Sequence, residues 1–331
     1  MRLGLTFDLK PPGASPAPGE PDDRYEEYDP PETVEALART LGELGHEVVR
    51  LGGGRPFLER ILHEKVDFVF NIAEGQGTGR SREAQVPAVL EMLGIPYALS
   101  DPLTLSLSLD KALTKRLVAL AGVSVPRDLL VRSPADLRGL GELPFPCLAK
   151  PAYEGSSKGV RDDSVLGGSE EAAARVPALL AAYRQPVLLE EFVEGDEYTV
   201  GVVGNDPPRA VGAMRIRPRQ GPDPRFVYSI EAKRDWRRRV AYDVPPPLSP
   251  EEVHALYTSA VAAFGAIGCR DAARVDFRMR DGVPVFLEIN PLPGLSPDYG
   301  DLPILARGHG IPYPELLRRI LEAAFRRCGL V

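Results

Sequence analysis

The sequence predicts an α/β class in its first hundred residues, a doubly wound parallel sheet, followed by a longer region in which strands dominate. Three observations carry this. Short apolar runs alternate with helix-spaced segments through residue 100, the pattern of parallel strands covered on both faces. From residue 187 several strand-like runs follow one another, rich in β-branched and aromatic residues. The length of 331 residues suits about two ordinary domains.

Taken in order, RLGLTF (2–7) reads as a first strand, and a Pro/Gly/acid loop follows from Lys10 to Pro31. Loops this long inside a compact domain are usually functional. Val34, Leu37, Ala38, Leu41 and Leu44 recur at helical spacing and Gly45 stops the run. EVVRL (47–51) reads as a strand, 56–64 as a helix and VDFVFNI (66–72) as a buried strand, and Val86, Val89, Leu90 and Leu93 mark the next helix. A helix is predicted from Asp110, a suitable N-cap, to Gly122. FPCLAKP (145–151) is a strand stopped by Pro151, EGSSKGV (154–160) a Gly/Ser loop and 169–183 an Ala-rich helix. VLLEEF (187–192), EYTVGVV (197–203), RAVGAMRI (209–216) and FVYSIEA (226–232) are expected as strands. Ser249-Pro250 opens a helix to 267, RVDFRM (274–279) and VPVFLEI (283–289) form a hairpin, and 313–327 is a final helix.

Composition excludes several classes. Hydrophobic residues at 44% and charged residues at 26% place the chain among soluble globular proteins. No apolar run is long enough to span a bilayer, and the N-terminus is too charged for a signal peptide. A net charge of −7 argues against general nucleic-acid binding. Three separated cysteines and four scattered histidines give no disulfide framework, no histidine metal site and no Ser-His-Asp triad, and imply a reducing cytoplasm. Of 40 basic residues only seven are Lys, so each Lys merits attention. No GxGxxG follows a strand, which disfavours an NAD-dependent oxidoreductase, and no Walker P-loop is present.

Four constellations carry chemistry. Asp276, Glu288 and Asn290 are oxygen donors near the ends of the last two strands. A two-residue loop, Asp281-Gly282, would pair Asp276 with Leu287 and split the carboxylates between faces. A three-residue loop, Arg280 to Gly282, would put Arg274, Asp276, Glu288 and Asn290 on one face, with Gly282 in the left-handed position that such loops prefer. Hard oxygen ligands with open positions suit Mg²⁺ shared with phosphate, and Arg274 would hold a phosphate. Lys150 ends an apolar strand beside EGSSKGV, whose backbone N–H groups can cradle phosphates. Lys111 heads a helix. Glu190 to Glu197 closes a buried strand with an acidic loop able to hold an adenine amine and ribose hydroxyls.

Together these segments resemble the ATP-grasp superfamily, and within it the D-alanine–D-alanine ligase family. The resemblance runs from about residue 66 to the C-terminus through DKALTK (110–115), KPAYEGSS (150–157), EEFVEGDE (190–197), YSIEAK (228–233), RVDF (274–277) and EINPLPG (288–294). It implies an α/β N-terminal domain (1–100) and two α+β ATP-grasp parts (101–186 and 187–331) gripping ATP. It implies Lys111, Lys150, Ser157, Glu190, Phe192, Glu197 and Lys233 as ATP contacts, and Asp276, Glu288 and Asn290 as ligands of Mg²⁺, two ions being usual and Mn²⁺ an alternative. Arg274, Ser156 and the backbone of Gly294 match the family's catalytic groups. The implied reaction makes an acyl phosphate from a substrate carboxylate and ATP, then couples it to a second substrate's amine. A homodimer acting on small-molecule amino-acid substrates is implied, with no nucleic acid and no membrane partner.

The N-terminal third departs from the family. Its Gly-Gly-x-Ser-x-Glu loop, whose Glu binds the first substrate's amine, is replaced by DLKPPGASPAPGEPDDRYEEYD (8–29), where Glu20, Glu26, Glu27 or Asp29 is available for that role. Glu74 stands in the family's Leu-His-Gly, Lys158 replaces a small apolar residue, Arg234 a tyrosine and Tyr299 the serine that binds the acceptor's carboxylate. With Arg80 and Arg82 these charges predict a more polar or charged substrate than D-alanine. A genuine D-alanine–D-alanine ligase of peptidoglycan synthesis and a nucleotide-binding module without catalysis are the competing readings.

Overall fold

A computed structural model describes residues 1–13, 16, 17 and 19–330; residues 14, 15 and 18 of the long N-terminal loop lie outside it, as does 331. Leu3 and Leu5 alternate with Gly4 along the first strand, so each face of that strand has its own neighbours. This strand, β1 (Arg2–Thr6), sits at the centre of its sheet. It is followed by α1 (Pro31–Glu43), β2 (Glu47–Arg50), α2 (Gly54–Ile61), β3 (Phe68–Asn71), α3 (Gln85–Leu93) and β4 (Tyr97–Ala98). The strands pair in parallel in the order β2-β1-β3-β4. Leu3 and Leu5 join Val34, Leu37 and Leu41 of α1 in one core, while Phe57, Ile61, Val86 and Leu90 of α2 and α3 form a second core on the opposite face. Gly4 points there, and a Cβ on it would lie 2.5 Å from Leu51 Cδ1. The doubly wound sheet is therefore as expected.

Next come α4 (Pro102–Leu109) and α5 (Lys111–Leu120), then β5 (Asp128–Val131), β6 (Cys147–Pro151), β7 (Val165–Leu166), α6 (Ser169–Tyr183) and β8 (Val187–Glu191). The strands form an antiparallel sheet in the order β5-β8-β6-β7, backed by α6. Because β8 pairs with β5 and β6, the central unit extends through Glu191; the expected boundary before Val187 is corrected.

The remaining elements are β9 (Glu197–Val203), β10 (Arg209–Pro218), α7 (Ile230–Arg234), α8 (Trp236–Arg239), β11 (Val240–Asp243), α9 (Pro250–Ala266), β12 (Ala272–Arg280), β13 (Val283–Asn290), α10 (Asp301–Gly308) and α11 (Tyr313–Arg327). Their five strands are antiparallel in the order β11-β10-β9-β12-β13. Val118 of α5 packs with Leu256 and Phe264 of α9 on this sheet, whereas Leu302, Leu305, Ile320 and Phe325 of α10 and α11 share a core with the N-terminal sheet. Among the described residues no helix is long and apolar enough to cross a membrane.

One expected strand is a helix start. In FVYSIEA, Ser229 is the N-cap of α7 and its hydroxyl accepts the Ala232 N–H, with Glu231 in the first turn and Lys233 and Arg234 in the last. Phe226, Val227 and Tyr228 are buried as loop residues without a strand partner, so their β-propensity reports burial rather than pairing.

Candidate active site

The hairpin β12–β13 closes with the two-residue turn Asp281-Gly282, both residues at positive φ (51° and 76°), so Arg280 pairs with Val283. The three-residue loop expected from the sequence is therefore corrected. Continued regularly, this register would put Asp276 opposite Leu287. A β-bulge intervenes: the pairing shifts between Phe277 and Asp276, and Asp276 lies opposite Glu288. The bulge, not the turn, brings the carboxylates together, and it leaves both Leu287 and Glu288 on the wall of one cavity.

That cavity, about 80 Å³, lies between the central and C-terminal sheets. Lys150, Glu190 and Phe192 face Glu197, Asp276 and Glu288 across it. Lys150 Nζ is 2.9 Å from Glu190 Oε1, and Lys115 Nζ is 2.8 Å from Glu190 Oε2 and 2.8 Å from Asp128. Burial pushes the Glu190 carboxyl up, but the two lysines outweigh it and hold it at about 2. Glu190 thus anchors Lys150 besides lining the cavity. Lys111 is set by Asp110, whose carboxylate accepts the Leu113 N–H and caps α5. Its Nζ reaches Glu154 O at 2.5 Å and Glu288 Oε2 at 3.3 Å. Burial raises the Glu288 carboxyl, yet Lys111, Lys150 and Arg274 together hold it well below the usual range. Glu197 is driven by burial to about 7, with Arg278 opposing.

A second cavity of about 220 Å³ adjoins the first, and Lys111 and Tyr228 line both. Its walls include Ser156, Lys233, Arg274, Asn290 and Gly294. Arg274 is clamped between Asp276 Oδ2 (2.9 Å) and Asp301 Oδ2 (3.1 Å). Asn290 Nδ2 lies 3.3 Å from Asp276 Oδ2 and 3.4 Å from Glu288 Oε1, while Thr199 donates to Asp276 Oδ1 at 2.7 Å. Among the described residues no three His, Cys, Asp or Glu groups form a complete metal cage. Two carboxylates and an amide that converge, but fall short of six ligands, fit a divalent cation whose remaining positions are filled by phosphate and water.

The predicted substrate residues separate. Glu74 and Tyr299 line the larger cavity. Lys158 lines the smaller cavity instead, and Arg234 lines neither. Lys158 Nζ is buried against Glu154 Oε2 (2.5 Å) and Glu27 Oε1 (3.2 Å), and Arg234 pairs with Asp22 and Glu26. Arg82, 1% exposed, completes the buried cluster by bonding Glu27, Glu154 and the Tyr153 carbonyl. Two cations and two carboxylates balance there, as buried charges must.

Sequence reasoning missed Lys115, Arg278, Asp301 and Glu83. Two of them carried a signal. Lys115 is four residues past Lys111 and shares its helix face, and Arg278 continues the alternation Arg274, Asp276 along β12.

A family model described as D-ala D-ala ligase C-terminus matches residues 134–322, more than half of the chain. The chain belongs to the D-alanine–D-alanine ligase family. A D-alanine–D-alanine ligase of Pelotomaculum thermopropionicum is 31% identical over 309 residues, 90% of this chain and 92% of that one. The D-alanine–D-alanine ligase of Bacillus anthracis superposes with a TM-score of 0.77 at 23% identity, covering 99% of this chain and 98% of that one. The same enzyme complexed with ATP superposes at 0.73 and 21% identity, with the same coverage. The fold is thus that of the D-alanine–D-alanine ligases, ATP-grasp as expected, and the chain is an ATP-dependent ligase that forms a peptide-type bond.

Proposed function

We propose that this ligase joins two amino acids, activating the carboxylate of the first as an acyl phosphate in the larger cavity and releasing ADP and phosphate. The observation that supports this best is the junction of the two cavities, where Lys111, Lys150 and Arg274 converge beside Asp276, Glu288 and Asn290.

In this reading the smaller cavity takes the nucleotide. Phe192 and Leu287 flank the base, Glu190 and Glu197 serve the adenine and ribose, and Lys111, Lys150, Ser157 and Lys233 serve the phosphates. A substrate carboxylate oxygen attacks the γ-phosphorus and the bond to ADP breaks. The second substrate's amine then attacks the acyl carbon, its proton leaves, and phosphate departs. Arg274, pre-set by Asp276 and Asp301, meets the charge that develops on the transferred phosphoryl group, and the Gly294 N–H meets the oxyanion. Mg²⁺, one ion or two, held by Asp276, Glu288 and Asn290 would add charge neutralisation on the phosphates. Ser156 borders the first substrate. Water must be kept from the acyl phosphate, and the loop 154–160 supports this: Ser157 Oγ donates to Tyr228 O (2.8 Å) and Gly159 N donates to Asp23 Oδ2 (2.8 Å).

The partner of the first substrate's amine falls to Asp29. Of the four candidates, Glu20 pairs with Arg24, Glu26 with Arg234 and Glu27 with Arg82, whereas Asp29 lines the larger cavity without a side-chain partner among the described residues. Free thiols at Cys147, Cys269 and Cys328 support a cytoplasmic setting, and a homodimer is the assembly the resemblance implies.

The test is ADP release and product mass with ATP, Mg²⁺ and a panel of D- and L-amino acids. We expect amino-acid-dependent release; none above background with any member overturns the ligase reading. Glu288→Gln should lower turnover by roughly 10²–10³-fold with the fold retained, and wild-type rates would remove Glu288 from the site. The relatives' name favours D-alanine at both positions, and D-Ala-D-Ala as the main product would establish that second reading.

A further inference from the structure

On the wall of the larger cavity, which Arg274 also lines, three carboxylates have no hydrogen-bond or ion-pair partner among the described residues: Asp29, Glu74 and Glu83. Glu83 is only 7% exposed, and its side chain still borders the cavity. The nearby cations are committed elsewhere. Arg82 directs all three guanidinium nitrogens to Glu27, Glu154 and the Tyr153 carbonyl, and Lys158 is held by Glu27 and Glu154. Lys111 reaches Glu154 O and Glu288. The Tyr28 hydroxyl donates to the Gly75 carbonyl.

A charged carboxylate removed from water without a donor is costly, as Glu83 is, and with the half-buried Asp29 and Glu74 on the same wall it suits an occupant that brings cationic donors. The α-ammonium of an ordinary amino acid offers donors to one carboxyl group and leaves the other two without a cationic partner. The wall also suits the first substrate and not the second. An ammonium held by carboxylates keeps its proton and is a poor nucleophile, whereas the first substrate reacts through its carboxylate, and Arg274 lines the same cavity to receive it. Resting on the ligase reading above, we propose that the first substrate is an amino acid with a cationic side chain, an ammonium or a guanidinium, and that Glu74 and Glu83 bind that group while Asp29 takes the α-ammonium.

The experiment compares charged amino acids with neutral ones of the same shape: lysine with norleucine and arginine with citrulline, each in both chiralities. Binding is read by calorimetry on the full chain with ADP and Mg²⁺ present, and ADP release is read in parallel with ATP. We expect one basic amino acid to bind at least tenfold more tightly than its neutral counterpart, and E74Q/E83Q to bring the ratio below threefold. Should the double variant not fold, Asp29→Asn provides the second test, with at least a tenfold loss of affinity expected for lysine and norleucine alike. Equal or tighter binding of norleucine and citrulline by the wild type overturns the proposal. So does a ratio that E74Q/E83Q leaves unchanged, or lysine and norleucine affinities that Asp29→Asn leaves unchanged. Turnover of neutral amino acids with no preference for basic ones sinks this inference and leaves the ligase reading intact. A tenfold basic preference in binding with no ADP release from any amino acid does the reverse.

Discussion

Glu83 loses most of its water on folding without gaining a hydrogen-bond donor among the described residues. Burial is the main cause that raises its carboxyl from the ordinary 4.5 to about 7; Arg82 and Lys111 oppose, while Glu27 and Glu154 add to the rise. A folded-state value above the unfolded one means that the native state binds the proton more tightly. The stabilisation is therefore present below about pH 4.5 and lost as pH rises toward 7. The melting temperature of the substrate-free protein should fall from pH 5 to pH 7.5, and Glu83→Gln should flatten that slope. Equal slopes in the two proteins would show that Glu83 titrates normally. Such residues could not be ranked from the sequence. Nothing in DLKPPGASPAPGEPDDRYEEYD distinguishes Asp29 from Glu27, because what separates them is whether Arg82, more than fifty residues away, reaches the side chain. That Lys111, Lys150, Asp276 and Glu288 share one cavity follows the sequence reading, which singled out scarce lysines and carboxylates near strand ends.

At the scale of elements, β6 and β8 carry a buried charged pillar. Glu190 sits between Lys115 and Lys150 with 2% of its surface exposed. Glu190→Gln would leave the buried Lys150 ammonium without its ion-pair partner and Lys115 with Asp128 alone, a loss of about 3–5 kcal/mol. Chemical denaturation measures it, and a change under 1 kcal/mol would mean that water already reaches the lysines. The hairpin β12–β13 teaches the complementary lesson. Alternation in sequence put Arg274 and Asp276 on one face of β12, and Glu288 and Asn290 on one face of β13. Which face met which was decided by a turn of two residues together with a bulge at Leu287. A bulge has no reliable local signature, since it costs one unpaired residue and is set by what packs on either side. FVYSIEA was misread for a related reason. Its apolar residues are buried by neighbouring loops, and the Ser229 cap outweighs their strand preference.

Over the whole molecule, residues 19–29 form a strap from the N-terminal sheet to the loops that cover the site. Asp23 is fully buried and accepts from Gly159 N, Tyr183 Oη and Arg161, while Asp22 pairs with Arg161 and Arg234. The strap ties the loop 154–160 and helix α7 to the same segment. Asp23→Ala should raise amide exchange across residues 155–160 at least tenfold by removing these bonds. Unchanged protection there would assign closure to the Ser157–Tyr228 bond alone.

By itself the sequence determined the class of the first sheet, the helices with clear period and caps, and the lysines and carboxylates proposed above to handle phosphate. These depend on neighbours within a few positions, where periodicity and residue chemistry act directly. The tertiary structure alone decided which acidic residues stay unpaired among the described residues, which charged residues pair with the strap, and how the final hairpin is registered. Each of these rests on charge balance between segments far apart in the chain, and a buried charge takes its role from the partner that folding brings to it.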